Sequence, residues 1–278
     1  MSEKKIKIQK GSVQETLLIP LYGRKLAMDM YPDLFFDLDA QSLFEQIECE
    51  FDLQSKLKRK IGAIMGATRQ YDMACVCREY LQEHPNACVV NLGCGLDTTF
   101  RQVDNGMAKG YNIDFPDTIQ VREELLSARE REINIPSDLM GFSWFDKLDY
   151  RKQDGVVFFA SGVFYYFKRE DVKKLICALA ERFPGGKIVF DATNASGLKN
   201  MAKTWLSWSD MKNVGIYFSV EDTQELKEWS TKLKEVVRKG YMTGYRPLDK
   251  RYGCIVNIVF RLVDKIKKCQ MIEITFGS

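Results

Sequence analysis

Histidine is almost absent from this chain. A C-x-x-C cysteine pair and an apolar run long enough to span a membrane are missing altogether. The one histidine, His84, precedes Pro85 where a helical pattern ends, so a His-rich metal site is excluded and a Ser-His-Asp triad is disfavoured. None of the eight cysteines forms a C-x-x-C pair. The most apolar run, residues 156–167, has 12 residues, whereas a membrane-spanning helix needs about 20. We therefore expect no metal site and no membrane partner.

The chain also lacks an excess of either charge. Its 41 Lys and Arg residues against 38 Asp and Glu residues give a net charge of +3. Proteins whose main partner is a nucleic acid usually carry a basic patch that neutralises phosphates, so we expect no nucleic-acid partner. With 278 residues, 45% hydrophobic and 28% charged, the composition is that of an ordinary globular protein with one large domain or two small ones.

The cysteines indicate a cellular location rather than a site. No apolar segment follows the basic N-terminus, so we expect no signal peptide. A chain of this size builds a core without disulfides. We therefore expect a cytoplasmic protein whose reduced thiols pack as small apolar side chains. Cys75 and Cys77, the only close pair, are expected to pack on a helix rather than form a redox site.

Hydrophobic spacing divides the chain into a helical N-terminal part and an alternating α/β part. Residues 38–47 and 61–81 carry apolar side chains at helical spacing, with Asp37 or Asp39 as the N-cap of the first helix. The short apolar run at residues 87–92 predicts a buried strand, and Gly93 and Gly95 predict a tight turn after it.

Strands and helices alternate from this point. The predicted strands are residues 110–114, 132–136, 155–161 and 187–191, and the predicted helices are residues 116–131 and 169–183. This alternation predicts a mostly parallel sheet with helices on both faces and a ligand site at the carboxyl ends of its strands.

Residues 194–233 interrupt the alternation. They are helical in pattern, and we interpret them as an insertion over the ligand-binding edge, with Trp205, Trp208 and Phe218 as a possible lid face. Strands at 234–241 and 270–276, paired antiparallel, and a helix at 251–265 close the chain. The resulting division is a single domain with a cap (1–70), a cofactor-binding half (71–193), a lid insertion (194–233) and a C-terminal part (234–278).

The glycine turn and a nearby acid are the strongest local signals. Gly93 and Gly95 let the backbone approach a ligand closely, although Thr98 stands where a dinucleotide fingerprint has its third glycine. Asp114 ends the next strand, 21 residues after Gly93 (114 − 93). A carboxylate there can accept hydrogen bonds from both ribose hydroxyls of NAD or of S-adenosylmethionine, or can merely cap the following helix.

Weaker signals surround this pair. Asp138, which follows the strand at 132–136, can contact an adenine amino group or stand in solvent. Arg69 carries a guanidinium fork that matches a carboxylate in two-point geometry. Tyr165 and Tyr166 lie in an aromatic stripe at 164–167 that can line an acceptor pocket or belong to the core.

The order of these segments resembles that of the leucine carboxyl methyltransferase-like family. The segments are VVNLGCGLDTTF (89–100), NIDFPDTIQVREELL (112–126), SDL (137–139), ASGVFYYFKREDVKKLI (160–176) and FPGGKIVFD (183–191). Upstream, GATRQYDMA (66–74) is similar to the arginine-containing segment of the family. The family includes enzymes that methylate protein phosphatase C-termini and O-methyltransferases of polyketide synthesis, such as the tetracenomycin type.

The resemblance implies a class I S-adenosylmethionine-dependent methyltransferase. It implies a Rossmann-like, seven-stranded, mostly parallel sheet with an N-terminal helical cap and a helical insertion after the fifth strand. The implied cofactor is S-adenosylmethionine. The residues implied to bind it are Arg69, at the methionine carboxylate, Gly93, Cys94 and Gly95, at the turn, Asp114, at the ribose, Asp138 and Leu139, at the adenine, and Ser161, where the family often has glutamate near the ammonium.

Four functions remain open from the sequence. The leading one is an O-methyltransferase that acts on a carboxylate or hydroxyl of a small, polyketide-like acceptor, with Tyr165 and Tyr166 in the acceptor pocket. The alternatives are a protein C-terminal carboxyl methyltransferase, a nicotinamide-dependent oxidoreductase, and a non-catalytic relative, which Ser161 favours. The sequence indicates no oligomeric state.

Overall fold

A computed structural model describes residues 6–7, 13–48, 56–205 and 215–278. The helices are α1 (Val13–Met30), α2 (Leu38–Glu45), α3 (Lys56–Glu83), α4 (Thr99–Val103), α5 (Pro116–Leu125), α6 (Arg169–Arg182), α7 (Ala195–Trp205), α8 (Gln224–Lys227) and α9 (Cys254–Ile266). The strands are β1 (Ile6–Lys7), β2 (Ile47–Glu48), β3 (Cys88–Leu92), β4 (Lys109–Asp114), β5 (Glu132–Pro136), β6 (Val156–Ala160), β7 (Lys187–Ala192), β8 (Leu233–Gly240) and β9 (Gln270–Phe276).

Seven strands form one sheet in the order β5-β4-β3-β6-β7-β9-β8. The first five are parallel, and β9 runs antiparallel to both β7 and β8. The predicted seven-stranded, mostly parallel sheet is therefore confirmed. The predicted antiparallel pairing of the last two strands is observed as well. A two-residue parallel pair, β1 with β2, was not predicted.

Helices cover both faces of the sheet, and β6, which is apolar at every position, packs against both layers. Successive side chains of a strand point to opposite faces. Phe158 therefore packs in the core that contains Leu175 of α6, whereas Phe159 packs in the core that contains Val76 of α3 and Phe260 of α9. All four strand residues that pair β6 with β3 are buried. Among the described helices, none is long and apolar enough to cross a membrane.

Helix α1 packs against both α3 and α2. Asp37 is the N-cap of α2, as one of the two predicted alternatives had it, and its side chain accepts a hydrogen bond from Ala40 N at 3.0 Å. Helix α3 continues without a break through residue 70. The predicted boundary between the cap and the cofactor-binding half therefore falls inside a helix that both parts share.

Two predicted elements need correction. The helix predicted at residues 116–131 ends at Leu125, because Leu126 adopts an extended conformation (φ −127°, ψ 99°) that leads the chain into β5. Among the described residues of the region 194–233, namely 194–205 and 215–233, α-helix occurs only in α7 and α8. Between the described residue 215 and α8 the chain is not helical, since Tyr217 N donates to Tyr165 O and Val220 N donates to Thr193 O.

The predicted lid face also needs correction. Phe218 is fully buried in the core beside Phe164 and Phe190, so it faces away from a lid surface. Trp208 lies outside the described residues, and the side chain of Trp205 is not described.

His84 lies one residue after α3 and stacks on Tyr80, with ring centroids 4.6 Å apart.

Candidate functional site

A cavity of about 490 Å³ opens at the carboxyl ends of β3, β4 and β6. The turn after β3, the end of β4 and the segment after β6 form its floor, and α1, α3, α7 and the chain near residue 216 form its walls. Parallel strands all present their carboxyl ends at this edge, so residues distant in sequence meet here. The cavity lies where the sequence analysis expects a ligand.

The glycine turn after β3 adopts the conformation that its sequence predicts. Gly93 and Gly95 have φ values of +67° and +46°, a region that residues with a side chain rarely adopt. A Cβ at position 93 would lie 2.6 Å from a methyl carbon of Val163. Cys94, between the glycines, is buried, and burial raises the pKa of its thiol, so this side chain stays neutral. The Val163 side chain therefore packs directly against Gly93, and both glycines line the cavity.

Asp114 joins the end of β4 to the same turn. Its Oδ2 accepts a hydrogen bond from Gly95 N, and its Oδ1 accepts one from Phe115 N, both at 2.8 Å. Burial raises the pKa of this carboxyl above its ordinary value. Each carboxylate oxygen has about two acceptor sites, so one on each oxygen remains for a ligand. Asp114 lines the cavity, as expected for a residue that binds a diol.

Arg69 reaches the cavity from α3 and is held by an acid that the sequence analysis did not select. Its Nη1 lies 3.3 Å from Oδ2 of Asp191, at the end of β7. The other oxygen of Asp191 accepts a hydrogen bond from Gly162 N at 2.6 Å. Asp191 is only 2% exposed, so a carboxylate with one partner on each oxygen lies directly behind the cavity wall.

The segment after β6 supplies a polar and aromatic side of the cavity. Ser161, Tyr165 and Tyr166 all line it. Tyr165 is buried, and burial raises the pKa of its phenol well above the ordinary value, so the hydroxyl stays protonated. Tyr166 is 44% exposed, at the surface end of the same segment. The aromatic stripe is thus divided, because Phe164 belongs to the core.

Of the three residues 137–139 after β5, two line the cavity and one does not. Ser137 and Leu139 line the cavity. Asp138 is exposed and is not among the lining residues; its Oδ1 accepts a hydrogen bond from Met140 N at 2.9 Å and caps a short 3₁₀ turn. The predicted contact of Asp138 with an adenine stays a prediction.

A charged group that was not predicted from the sequence joins α1 to the glycine turn. Arg24 donates to Leu96 O at 3.0 Å, and its Nη1 lies 3.3 Å from Oδ2 of Asp97. Asn91 donates to the other oxygen of Asp97 at 3.2 Å. Arg24, Asn91 and Asp97 all line the cavity. The available signal was a single arginine in an otherwise mainly apolar stretch of helix, residues 17–27.

The topology and the site together define a class. A Rossmann-like sheet with five parallel strands, one antiparallel strand next to the edge, and a glycine turn paired with an acid at the end of the neighbouring strand are features of class I methyltransferases. Comparisons with known proteins agree with this class and identify a family within it.

The family model for leucine carboxyl methyltransferase matches residues 24–180, more than half of the chain. The chain therefore belongs to this family and is an S-adenosylmethionine-dependent methyltransferase. It is similar to the tetracenomycin polyketide synthesis O-methyltransferase TcmP of Streptomyces glaucescens, with 26% identity over 186 residues, 66% of this chain and 67% of the relative. Membership of this family decides against the nicotinamide-dependent oxidoreductase.

Two solved structures share the fold at low sequence identity. A DUF574 family protein from Streptomyces avermitilis superposes with a TM-score of 0.58 and 10% identity, covering 94% of this chain and 97% of the other. A candidate methyltransferase from Thermobifida fusca gives a TM-score of 0.57 and 11% identity, with 94% of each chain covered. These likenesses support the fold alone.

Proposed function

We propose that this methyltransferase transfers the methyl group to an oxygen, a carboxylate or a hydroxyl, of a small and largely apolar acceptor. The observation that carries the proposal is the character of the cavity wall. Among the described lining residues both arginines are already paired, Arg24 with Asp97 and Arg69 with Asp191. The remaining wall is mostly apolar: Ile19, Pro20, Val163, Phe167, Met201 and Ile216.

The residues present fit the methyl donor. The glycines at 93 and 95 have positive φ and both line the cavity, so backbone without a side chain faces the space that a nucleoside would occupy. We propose that Asp114 accepts hydrogen bonds from the ribose hydroxyls and that Arg69 pairs with the methionine carboxylate. Leu139 and Asp138 would border the adenine, and Ser161 would face the ammonium group.

These residues bind and orient rather than exchange protons. When bound, S-adenosylmethionine supplies a methyl group that its sulfonium already activates. Apolar walls exclude water, which favours a reaction in which opposite charges neutralise each other. Orientation alone can contribute about 7–11 kcal/mol to lowering a barrier. The protonated hydroxyl of Tyr165 can donate a hydrogen bond to the acceptor oxygen and so align it, while Tyr166 borders the entrance.

Of the two proposed kinds of acceptor, a carboxylate needs less help from a base. The lone His84 stacks on Tyr80 beside Gly155, which precedes β6, so it lies at the opposite edge of the sheet from the cavity. A carboxylate acceptor arrives ionised and needs no general base, whereas a hydroxyl gains from one. The name of the relative TcmP, an O-methyltransferase of polyketide synthesis, supports oxygen as the accepting atom. The cytoplasmic location and the absence of a nucleic-acid partner stay predictions.

A panel of acceptors tests this proposal. Aromatic polyketide-like acids and phenols, together with a peptide that ends in a leucine carboxylate, would be incubated with radiolabelled methyl donor. We expect methylation of the small aromatic compounds and none of the peptide, because a peptide brings polar backbone groups against an apolar wall. Methylation of the peptide alone would favour the C-terminal carboxyl methyltransferase. Donor binding without transfer to any acceptor would favour the non-catalytic relative.

Replacing Asp114 by alanine is expected to weaken donor binding by about 1.5–3 kcal/mol, or roughly 10- to 150-fold, because hydrogen bonds to a charged group are lost. Isothermal titration with S-adenosylhomocysteine measures this loss. Asp117→Ala, which removes an exposed acid three residues further on, serves as the matched control and should leave the affinity unchanged. Equal affinities of Asp114→Ala and the parent protein would reject the ribose assignment.

A further inference from the structure

One buried carboxylate, Asp191, connects two walls of the cavity without lining it. Its Oδ2 lies 3.3 Å from Nη1 of Arg69, and its Oδ1 accepts a hydrogen bond from Gly162 N at 2.6 Å. Arg69 and Gly162 both line the cavity, but one belongs to α3 and the other to the segment after β6. A single side chain at the end of β7 therefore sets the relative position of two elements that are far apart in sequence.

The contact between Arg69 and Gly162 is close enough to depend on this support. Gly162 has a φ of +73°, and a Cβ there would lie 2.5 Å from Nη1 of Arg69. The guanidinium thus packs directly against the backbone of Gly162, and Asp191 holds both partners. The backbone conformation and the missing side chain at position 162 are each needed for this arrangement.

The positive charge of Arg69 is the second reason why its guanidinium needs Asp191. The side chain of Arg69 is only 12% exposed, and a buried guanidinium without an anionic partner is strongly disfavoured. Tyr165 and Tyr241 are its other buried neighbours, and burial raises the pKa of both phenols, so neither supplies an anion near neutral pH. Within the described part of the chain, Asp191 is the carboxylate that pairs with Arg69.

We infer that Asp191 is a positioning residue, which holds the Arg69 guanidinium and the Gly162 backbone in the arrangement that receives the amino-acid end of the methyl donor. This inference rests on the proposed pairing of Arg69 with the donor carboxylate. Because Nη1 is turned toward Asp191, the guanidinium is fixed in one orientation instead of sampling several before the ligand arrives. Asp191 itself does not line the cavity and acts through Arg69, whose guanidinium it holds against the Gly162 backbone.

Two ligands that differ only at the amino-acid end provide the test. S-adenosylhomocysteine carries the carboxylate and the ammonium group, whereas 5′-methylthioadenosine lacks both. Dissociation constants would be measured calorimetrically for the parent protein, Asp191→Asn and Arg69→Ala. We expect Asp191→Asn to weaken S-adenosylhomocysteine by about tenfold or more and 5′-methylthioadenosine by less than about twofold, since a charge-assisted hydrogen bond is lost only at one end.

A double variant and a matched control separate positioning from general stability. Arg69→Ala with Asp191→Asn should bind no more weakly than Arg69→Ala alone, because Asp191 acts through Arg69. Glu273→Gln removes a buried, lysine-paired carboxylate from β9, away from the cavity. It should lower the melting temperature and leave both dissociation constants unchanged.

The outcomes distinguish this inference from the function on which it rests. If Arg69→Ala changes the ratio of the two affinities and Asp191→Asn does not, the inference is wrong and the assignment of Arg69 stands. If Arg69→Ala leaves the ratio unchanged, the assignment of Arg69 fails. Tighter binding of S-adenosylhomocysteine by Asp191→Asn would also overturn the inference, because Asp191 would then compete with the ligand for Arg69. Should Asp191→Asn not fold, Gly162→Ala, which displaces the same guanidinium, must reproduce the selective loss.

Discussion

Replacing Glu132 by alanine is expected to lower the free energy of unfolding by about 3–5 kcal/mol, the cost of leaving buried charges without their partner. Glu132 begins β5 and is 5% exposed. Its Oε1 accepts a hydrogen bond from Arg122 at 2.9 Å, and its Oε2 accepts one from Arg101 at 2.8 Å. The side chain of Arg122 is 1% exposed, so removal of the carboxylate leaves a fully buried cation.

The same variant should weaken donor binding, because Arg122 supports the glycine turn. Its Nη1 donates to Gly95 O at 2.9 Å and to Asp97 O at 2.7 Å. Urea denaturation at pH 7 measures the stability, and Glu130→Ala, an exposed neighbour, should stay within about 0.5 kcal/mol of the parent protein. A loss below about 1 kcal/mol for Glu132→Ala, the range of exposed ion pairs, would contradict the expectation.

The pH dependence of stability gives a second measure of the ion pairs that Glu132 forms with Arg122 and Arg101. Burial opposes the ionised form of Glu132, yet the hydrogen bond from Arg101 and the charges of Arg122 and Arg101 lower the pKa of the carboxyl overall. Between the lowered pKa of the folded protein and the ordinary pKa, the unfolded chain therefore binds more protons than the folded one, and stability falls as pH falls through this range. The parent protein should lose this contribution on acidification, whereas Glu132→Ala has none to lose.

Most of the sheet could be predicted from the sequence because its signals are local. The run at residues 87–92 became β3, which begins at Cys88, and the run at 155–161 became β6, which is shorter by one residue at each end. Pro85 and Gly93 flank the first run and Gly155 and Gly162 bound the second, so few alternatives existed. The helix predicted to reach residue 131 failed because polar residues continue a helical pattern without a breaker, while the backbone at Leu126 is set by entry into β5.

The arrangement of the candidate site was predictable only where its residues are close in sequence. The glycine turn and Asp114 lie on consecutive strands, so their proximity follows from parallel pairing of β3 with β4. The pairing of Arg69 with Asp191 spans 122 positions, and that of Arg24 with Asp97 spans 73. No spacing rule connects residues so distant, and only the packing of α1 and α3 against the sheet edge brings them together.

Asp72 is a buried acid that should make the parent protein less stable as pH rises. It lies on α3, three residues after Arg69, is 1% exposed, and neither carboxyl oxygen has a hydrogen-bond partner within the described residues. Burial raises its pKa to about 8, opposed by the positive charges of Arg246 and Lys239 and reinforced by the negative charge of Asp264. The folded protein therefore keeps this carboxyl protonated near neutral pH, whereas the unfolded chain ionises it above about pH 4.

Asp72→Asn is expected to remove this pH dependence. Between about pH 4 and about pH 8 the folded parent protein binds one proton more than the unfolded chain, which lowers its free energy of unfolding by about 1.4 kcal/mol for each pH unit. Asparagine has a similar size and does not titrate. The variant should therefore gain about 3 kcal/mol relative to the parent protein between pH 5 and pH 7, measured by urea denaturation at both values.

An exposed acid provides the comparison for this titration. The side chain of Asp33 is 84% exposed, unlike that of Asp72, so Asp33→Asn should follow the pH profile of the parent protein. Parallel profiles for Asp72→Asn and the parent protein would show that Asp72 is ionised in the folded state and that Arg246 or Lys239 compensates its charge. Because Asp72 does not line the cavity, a widening difference in stability should occur without a change in the affinity for S-adenosylhomocysteine at pH 7.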